Sequence, residues 1–337
     1  MKSDRRIPGS GQRRMVVVAV LGTVALACAF TVVGLMSGFN LGSQSPPPGR
    51  WGGPSAATAP AGDGIRTFTP PVEITVTENL VYGAQPDGTP LRLDVCSPAS
   101  ATPGTMLPAM LSIHAGSWTR GNKAESTWRN VCEWLASEGF VTFAASYRLA
   151  PEDPFPAGVD DLAAAVRWIR QPAQVERFGI DPARIGAFGG SAGANLSAIL
   201  GARGSGALTE GARVAAVVEL SGPTDLTEKA LVADGASERL QRLIRRYLGC
   251  RSLADCPIAE DVSPVRQLDR SDPPMFIANA TDEFVPLAQA TRLTDGLAAL
   301  GIGYDLVTPE GEAHSMGFLD TSMRATIAAF LHRHLGE

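Results

Sequence analysis

Residues 184–196 read RIGAFGGSAGANL, and at their centre Gly189-Gly190-Ser191-Ala192-Gly193 forms a G-x-S-x-G run between a strand-like stretch and a helix-like one. A backbone that leaves a strand and enters a helix this quickly turns so sharply that a Cβ at Gly189 or Gly193 would collide with the neighbouring element. Glycine removes the collision. The Ser191 hydroxyl is then held at the tip of the turn, with the N–H of Ala192 directed toward whatever binds it, which is the geometry acyl transfer requires. Five residues of this kind also arise by chance, so the reading depends on partners elsewhere in the chain.

A serine hydroxyl is a poor nucleophile at neutral pH and needs a base, usually histidine, within hydrogen-bond reach. The chain has four histidines. His332 and His334 stand two apart in a helix-like run and point to different faces, so they form no metal pair. His114 closes a strand-like run and belongs to another motif. His314, in the loop PEGEAHSMGF (309–318), is therefore the expected base. The base needs an acid to hold its tautomer. Asp282 in NATDEFVP (279–286) follows a strand-like run, where sheet enzymes gather functional groups, with the adjacent Glu283 and with Asp225 in SGPTDL (221–226) as competing acids. The order Ser191, Asp282, His314 is that of serine hydrolases built on such sheets. Oxyanion donors are expected from the N–H groups of Gly116, Ser117 and Ala192, the first two in the loop HAGSW (114–118). Trp118 is expected to wall the substrate pocket.

Around these motifs, short strand-like runs occur at residues 73–81, 91–95, 106–113, 140–147, 184–188, 214–220, 275–278 and 304–307. Helix-like runs fall at 124–138, 159–178, 192–202, 287–300 and 322–335. Early strands without helices between them, then alternating strand and helix, predict an α/β architecture with a mixed, mostly parallel eight-stranded sheet covered on both faces. Residues 222–265 interrupt the alternation and read as a small cap insertion, leaving one catalytic domain over 73–337.

The stretch from His114 to Leu335 resembles the hormone-sensitive-lipase-like and carbohydrate-esterase-like (BD-FAE-type) branch of the α/β-hydrolases. HAGSW stands where such enzymes carry H-G-G-G/A-W, and SYRLAPEDPFPAGVDD (146–161) matches their Y-R-L-A-P-E block. GGSAGA matches the nucleophile elbow, DEFVP the D-x-x-V-P segment and EAHSMGF the histidine loop. Five motifs agree in order over about two thirds of the chain. The resemblance implies the α/β-hydrolase fold and serine ester hydrolysis without cofactor or metal. It also implies that Tyr147 to Glu152 brace the oxyanion loop. Three departures stand out. Ala115 replaces a glycine, Gly190 stands where one branch has an acid, and Asn279-Ala280 replaces the usual His-Gly. With the same triad, amide cleavage or acyl transfer to a sugar or lipid alcohol remains open, as does a non-catalytic binding module.

The 337 residues carry a net charge of −5, yet five cations against Asp4 give residues 1–14 a charge of +4 and leave −9 for the rest. That balance disfavours nucleic acid as a partner and leaves a small-molecule ester. Residues 15–39 contain no charge and would span about 37 Å as a helix, enough to cross a hydrocarbon core. With arginines before it, this segment is expected to anchor the chain with everything from residue 40 outside the cytoplasm, or to be cleaved as an export signal. Residues 40–72, rich in Pro, Gly, Ser and Ala, read as a tether. Cys250 and Cys256 in GCRSLADC (249–256) are expected to close a short disulfide in that oxidising compartment. Cys96 and Cys132 read as small buried hydrophobes. No Cys-x-x-Cys occurs, so no zinc site is expected. The sequence is silent on oligomeric state.

Overall fold

The computed structural model describes residues 64–100 and 104–336. The predicted basic segment 1–14 and the membrane or signal segment 15–39 lie outside the described residues. Among those that are described, no helix is long and apolar enough to cross a membrane.

Eight strands form one sheet: β1 (Ile74–Ala84), β2 (Pro90–Pro98), β3 (Leu107–Ile113), β4 (Val141–Ala145), β5 (Ile180–Gly190), β6 (Ala216–Leu220), β7 (Met275–Ala278) and β8 (Tyr304–Val307). Their spatial order is β1-β2-β4-β3-β5-β6-β7-β8. The two pairs involving β2 are antiparallel and the remaining pairs are parallel, as the alternation of runs predicts. Register aligns Ile113 with Gly189, Gly190 with Leu220, Leu220 with Ala278 and Ala278 with Val307. The carboxyl ends of five strands therefore share one edge, and the loops leaving them carry all the predicted site residues.

Alternate strand residues face two apolar layers. Val217, Met275 and Ile277 pack with α2 (Ala157–Ile169), α4 (Ala192–Ala202) and α9 (Leu287–Leu300) through Leu162, Leu196 and Leu293. On the other face Val218, Phe276 and Ala278 pack with α1 (Ser126–Ser137) and α10 (Thr321–Leu335) through Trp134 and Phe330. Both faces of the sheet are thus dry, which explains why β7 reads as a continuous apolar run and β6 as one broken only by Glu219.

Three expectations change. The single helix predicted over 159–178 is two, α2 and α3 (Pro172–Phe178). Pro172 has no N–H and its ring disfavours helical backbone at the preceding residue, so Gln171 is extended at φ −63°, ψ 138°. Residue 65 lies within the stretch predicted as a tether, yet Ile65 is fully buried in the α1/α10 layer and its N–H donates to Leu319 O at 3.0 Å. Cys96 and Cys132 are buried, but they are bonded to each other, tying β2 to α1 with their Cα atoms 5.8 Å apart. Packing α1 on the sheet closes a gap of 36 residues that spacing alone does not reveal. The Cys250–Cys256 disulfide joins as predicted.

The insertion holds α5 (Glu228–Ala233), α6 (Glu238–Leu248), α7 (Ile258–Asp261) and α8 (Pro264–Gln267). Ser237 caps α6 by accepting from Leu240 N, and Gly249 ends it in the left-handed region. Leu240, Ile244, Tyr247 and Leu248 form its buried stripe.

Candidate active site

The elbow between β5 and α4 has the tight geometry its glycines predict. A Cβ on Gly189 would lie 2.0 Å from Gly193 O, and one on Gly193 would lie 2.2 Å from Ile113 O, so neither position admits a side chain. Ser191 between them adopts φ 55°, ψ −116°, a conformation that L-residues hold only when their surroundings impose it. Its N–H donates to Leu220 O at 2.8 Å, pinning the turn to β6. Gly190 has a steric reason as well. The histidine loop fills the space beside it, with Ser315 Oγ 2.2 Å from where a Cβ would sit, so the acid found here in one branch of relatives has no room.

Loops that follow three further strands complete the constellation. His314 Nε2 lies 2.9 Å from Ser191 Oγ, and His314 Nδ1 is hydrogen-bonded to Glu283 Oε2. The chemistry assigns the protons: an ionised carboxylate only accepts, so Nδ1–H donates to it and the Nε2 lone pair faces the serine hydroxyl. The Glu283 side chain is fully buried, whereas that of His314 is 30% exposed, so the imidazole meets solvent and the carboxylate does not. Phe284 sets its ring edge-on to His314 at 5.8 Å.

The acid is therefore not the expected Asp282. That residue is exposed, its carboxylate accepts from Thr281 Oγ1 at 3.0 Å and its N–H donates to Gly311 O. Successive residues of so tight a turn project in different directions, and the turn here sends 282 outward and 283 inward. Asp225, the other competitor, is buried but engaged by Arg266 at 3.0 Å and by Thr227 Oγ1 at 2.7 Å. Asn279 accounts for the departure from His-Gly: fully buried, it donates from Nδ2 to Ala280 O and Val285 O, closing the acid loop on itself.

In the HAGSW loop the left-handed positions are Gly116, Ser117 and Trp118, with φ of 128°, 54° and 58°. Ala115 is not among them, so replacing glycine there imposes no strain. The Gly116 carbonyl accepts from Thr119 N and Arg120 N. No backbone hydrogen bond of the turn uses the N–H of Gly116 or Ser117, and Ala192 is the first residue of α4, whose N–H has no acceptor within the helix. The Y-R-L-A-P-E block braces this loop: Tyr147 Oη donates to His114 O at 2.9 Å, Ala150 N donates to Trp118 O at 2.9 Å, and the Tyr147 ring stacks on His114. Trp118 departs from its expected place in a pocket wall. It is 3% exposed and stacks on Tyr247 of α6, ring centroids 4.4 Å apart, because a large ring gains more from that covered face than from an open cleft.

His114 makes the loop sensitive to acid. Burial pushes its imidazole down to about 4, partly offset by the hydrogen bond to Ala115 O. The unfolded chain takes up this proton below about pH 6.5, while the folded protein resists until about pH 4. The associated stability is thus fully present above pH 6.5 and is lost as the pH falls through 4, to a total of about 3 kcal/mol. Urea unfolding followed between pH 7 and 4 should show this loss, and His114→Asn should flatten it; an unchanged slope in the variant would reject the assignment.

Comparison with known proteins adds the following. The BD-FAE family model matches residues 93–297. The esterase LipC of Mycobacterium tuberculosis is 29% identical over 242 residues, covering 67% of this chain but only 58% of LipC. Among solved structures, the esterase Est2 of Thermogutta terrifontis is 27% identical with a TM-score of 0.61, over 76% of this chain and 91% of that one. A truncated carbohydrate esterase from gut microbiota reaches a TM-score of 0.64 over 78% of this chain and 97% of its own, at 22% identity, a likeness of fold alone.

Proposed function

The chain belongs to the BD-FAE family of α/β-hydrolase esterases, and from that membership we propose that it hydrolyses carboxylic esters through Ser191, His314 and Glu283. The observation that carries this reading is the continuous hydrogen-bonded line from Ser191 Oγ through both ring nitrogens of His314 to a buried carboxylate. In the first half-reaction the Ser191 hydroxyl gives its proton to His314 Nε2 as Oγ bonds to the ester carbonyl carbon, and the carbonyl electrons move onto oxygen. The N–H groups of Gly116, Ser117 and Ala192 receive that oxyanion, the last aided by the positive end of the α4 dipole. Collapse breaks the bond to the alcohol, which leaves with the proton from His314. Water then repeats the sequence on the acyl-enzyme and releases the acid. Glu283 holds the tautomer and stabilises the imidazolium without taking the proton.

The substrate class we propose is short- to medium-chain esters, since LipC and Est2 carry the name esterase and Est2 has been solved with propionate and with butyrate bound. The uncharged run at 15–39 and the two disulfides support an anchored enzyme facing an oxidising, extracytoplasmic compartment. A fluorophosphonate probe is expected to label Ser191, and a membrane-impermeant version should do so on intact cells. A panel of p-nitrophenyl esters and acetylated sugars should show free acid as product. Failure to label Ser191 would return the chain to the non-catalytic reading, and product appearing on an added alcohol would make it an acyltransferase.

A further inference from the structure

Ser221 leaves β6 in the left-handed region at φ 62°, and its N–H donates to Ala278 O of β7 at 2.8 Å. Glycine would hold this conformation without strain, whereas a serine there is strained. What the serine adds is a hydroxyl, and that hydroxyl sits between two loops that carry chemistry. Ser221 Oγ accepts from Ser315 N, the residue after the histidine, at 2.8 Å, and lies 2.8 Å from Glu283 Oε1. Ser315 N–H can only donate, so it occupies a lone pair of the hydroxyl and leaves the hydroxyl proton for Glu283.

Glu283 depends on such donors. Its carboxylate is fully buried, and its Oε1 receives the Ser221 hydroxyl and Ala280 N–H while Oε2 receives His314. A second buried acid, Glu219, lies two residues before Ser221 and accepts from Gly222 N. Burial, with the nearby Glu283 adding to it, pushes the Glu219 carboxyl well up.

We infer that Ser221 is a positioning residue that acts through Glu283, its hydroxyl holding Oε2 toward His314 Nδ1 while it ties the acid loop to the histidine loop. One hydroxyl thereby fixes the relative placement of groups that follow three different strands. The inference rests on the roles proposed for Ser191, His314 and Glu283.

The test is Ser221→Gly, which removes the hydroxyl while suiting the backbone, assayed on a neutral p-nitrophenyl ester in the full chain. Loss of a hydrogen bond to a buried charge is expected to lower kcat by about 10- to 100-fold with KM within about threefold. In a Glu283→Gln background the same substitution should cost less than about threefold, since the group it acts through is already disabled. Ser221→Cys, with a weaker donor on the same stem, should fall between wild type and Ser221→Gly. A kcat for Ser221→Gly within threefold of wild type, an equal loss in both backgrounds, or a Ser221→Cys variant no better than Ser221→Gly would each overturn the inference. If Ser191→Ala is inactive while Ser221→Gly is fully active, only this inference fails; if Ser191→Ala remains active, the underlying reading fails.

Discussion

Ser191→Ala is expected to lower kcat by about 10³-fold or more, equivalent to at least about 4 kcal/mol of transition-state stabilisation, with KM little changed. The loss is large because alanine leaves no atom to form the acyl bond. The remaining donors at Gly116, Ser117 and Ala192 can still polarise a bound carbonyl, so some residual rate is expected. The fold should persist, since the elbow is held by the close approach of Gly189 and Gly193 and by the Ser191 N–H bond to Leu220 O, none of which involves the hydroxyl. Steady-state hydrolysis of a p-nitrophenyl ester, with circular dichroism to check folding, decides it. Near-normal turnover by a folded Ser191→Ala protein would end the proposed mechanism.

The second large effect separates neighbours. Glu283→Gln should lower kcat by about 10²- to 10⁴-fold, whereas Asp282→Asn should leave it within about threefold. An amide at 283 keeps nearly the same shape but loses the charge that stabilises the imidazolium, and its NH₂ competes with the proton on His314 Nδ1. Asp282 faces solvent, where its bond to Thr281 Oγ1 carries little energy. Parallel assays of the two variants under saturating substrate read the difference directly. Equal losses, or a larger loss at 282, would overturn the assignment of the acid.

Most of the architecture was legible in the order of apolar runs. All eight strand-like runs are strands, and β7 and β8 begin and end where the sequence predicts. Local chemistry made this possible: runs buried on both faces are mostly apolar, and Gly and Pro punctuate them. Ser191 and His314 were legible for a related reason, because each lies in a short motif whose backbone geometry is largely set by its own residues. The misreadings share a different character. Pro172 breaks a helix whose apolar period continues across it, and Ile65 lies in a segment of tether-like composition yet fills a gap beneath Leu319. Cys96 and Cys132 meet only once α1 lies on the sheet.

The acid shows the boundary most clearly. Asp and Glu at 282 and 283 have the same charge and similar reach, and nothing in NATDEFVP says which of them turns inward. That choice is made by Asn279 closing the loop, by Ala280 N and Ser221 Oγ gathering one carboxylate oxygen, and by the position of His314 across the sheet edge. The sequence by itself determined the order of elements, the sharp elbow and the pairing of Ser191 with His314, since those follow from local periodicity and the steric needs of single residues. Which carboxylate faces the histidine, and where Trp118 lies, were decided only by tertiary structure, because direction in space depends on loops from separate strands that the chain's own order does not bring together.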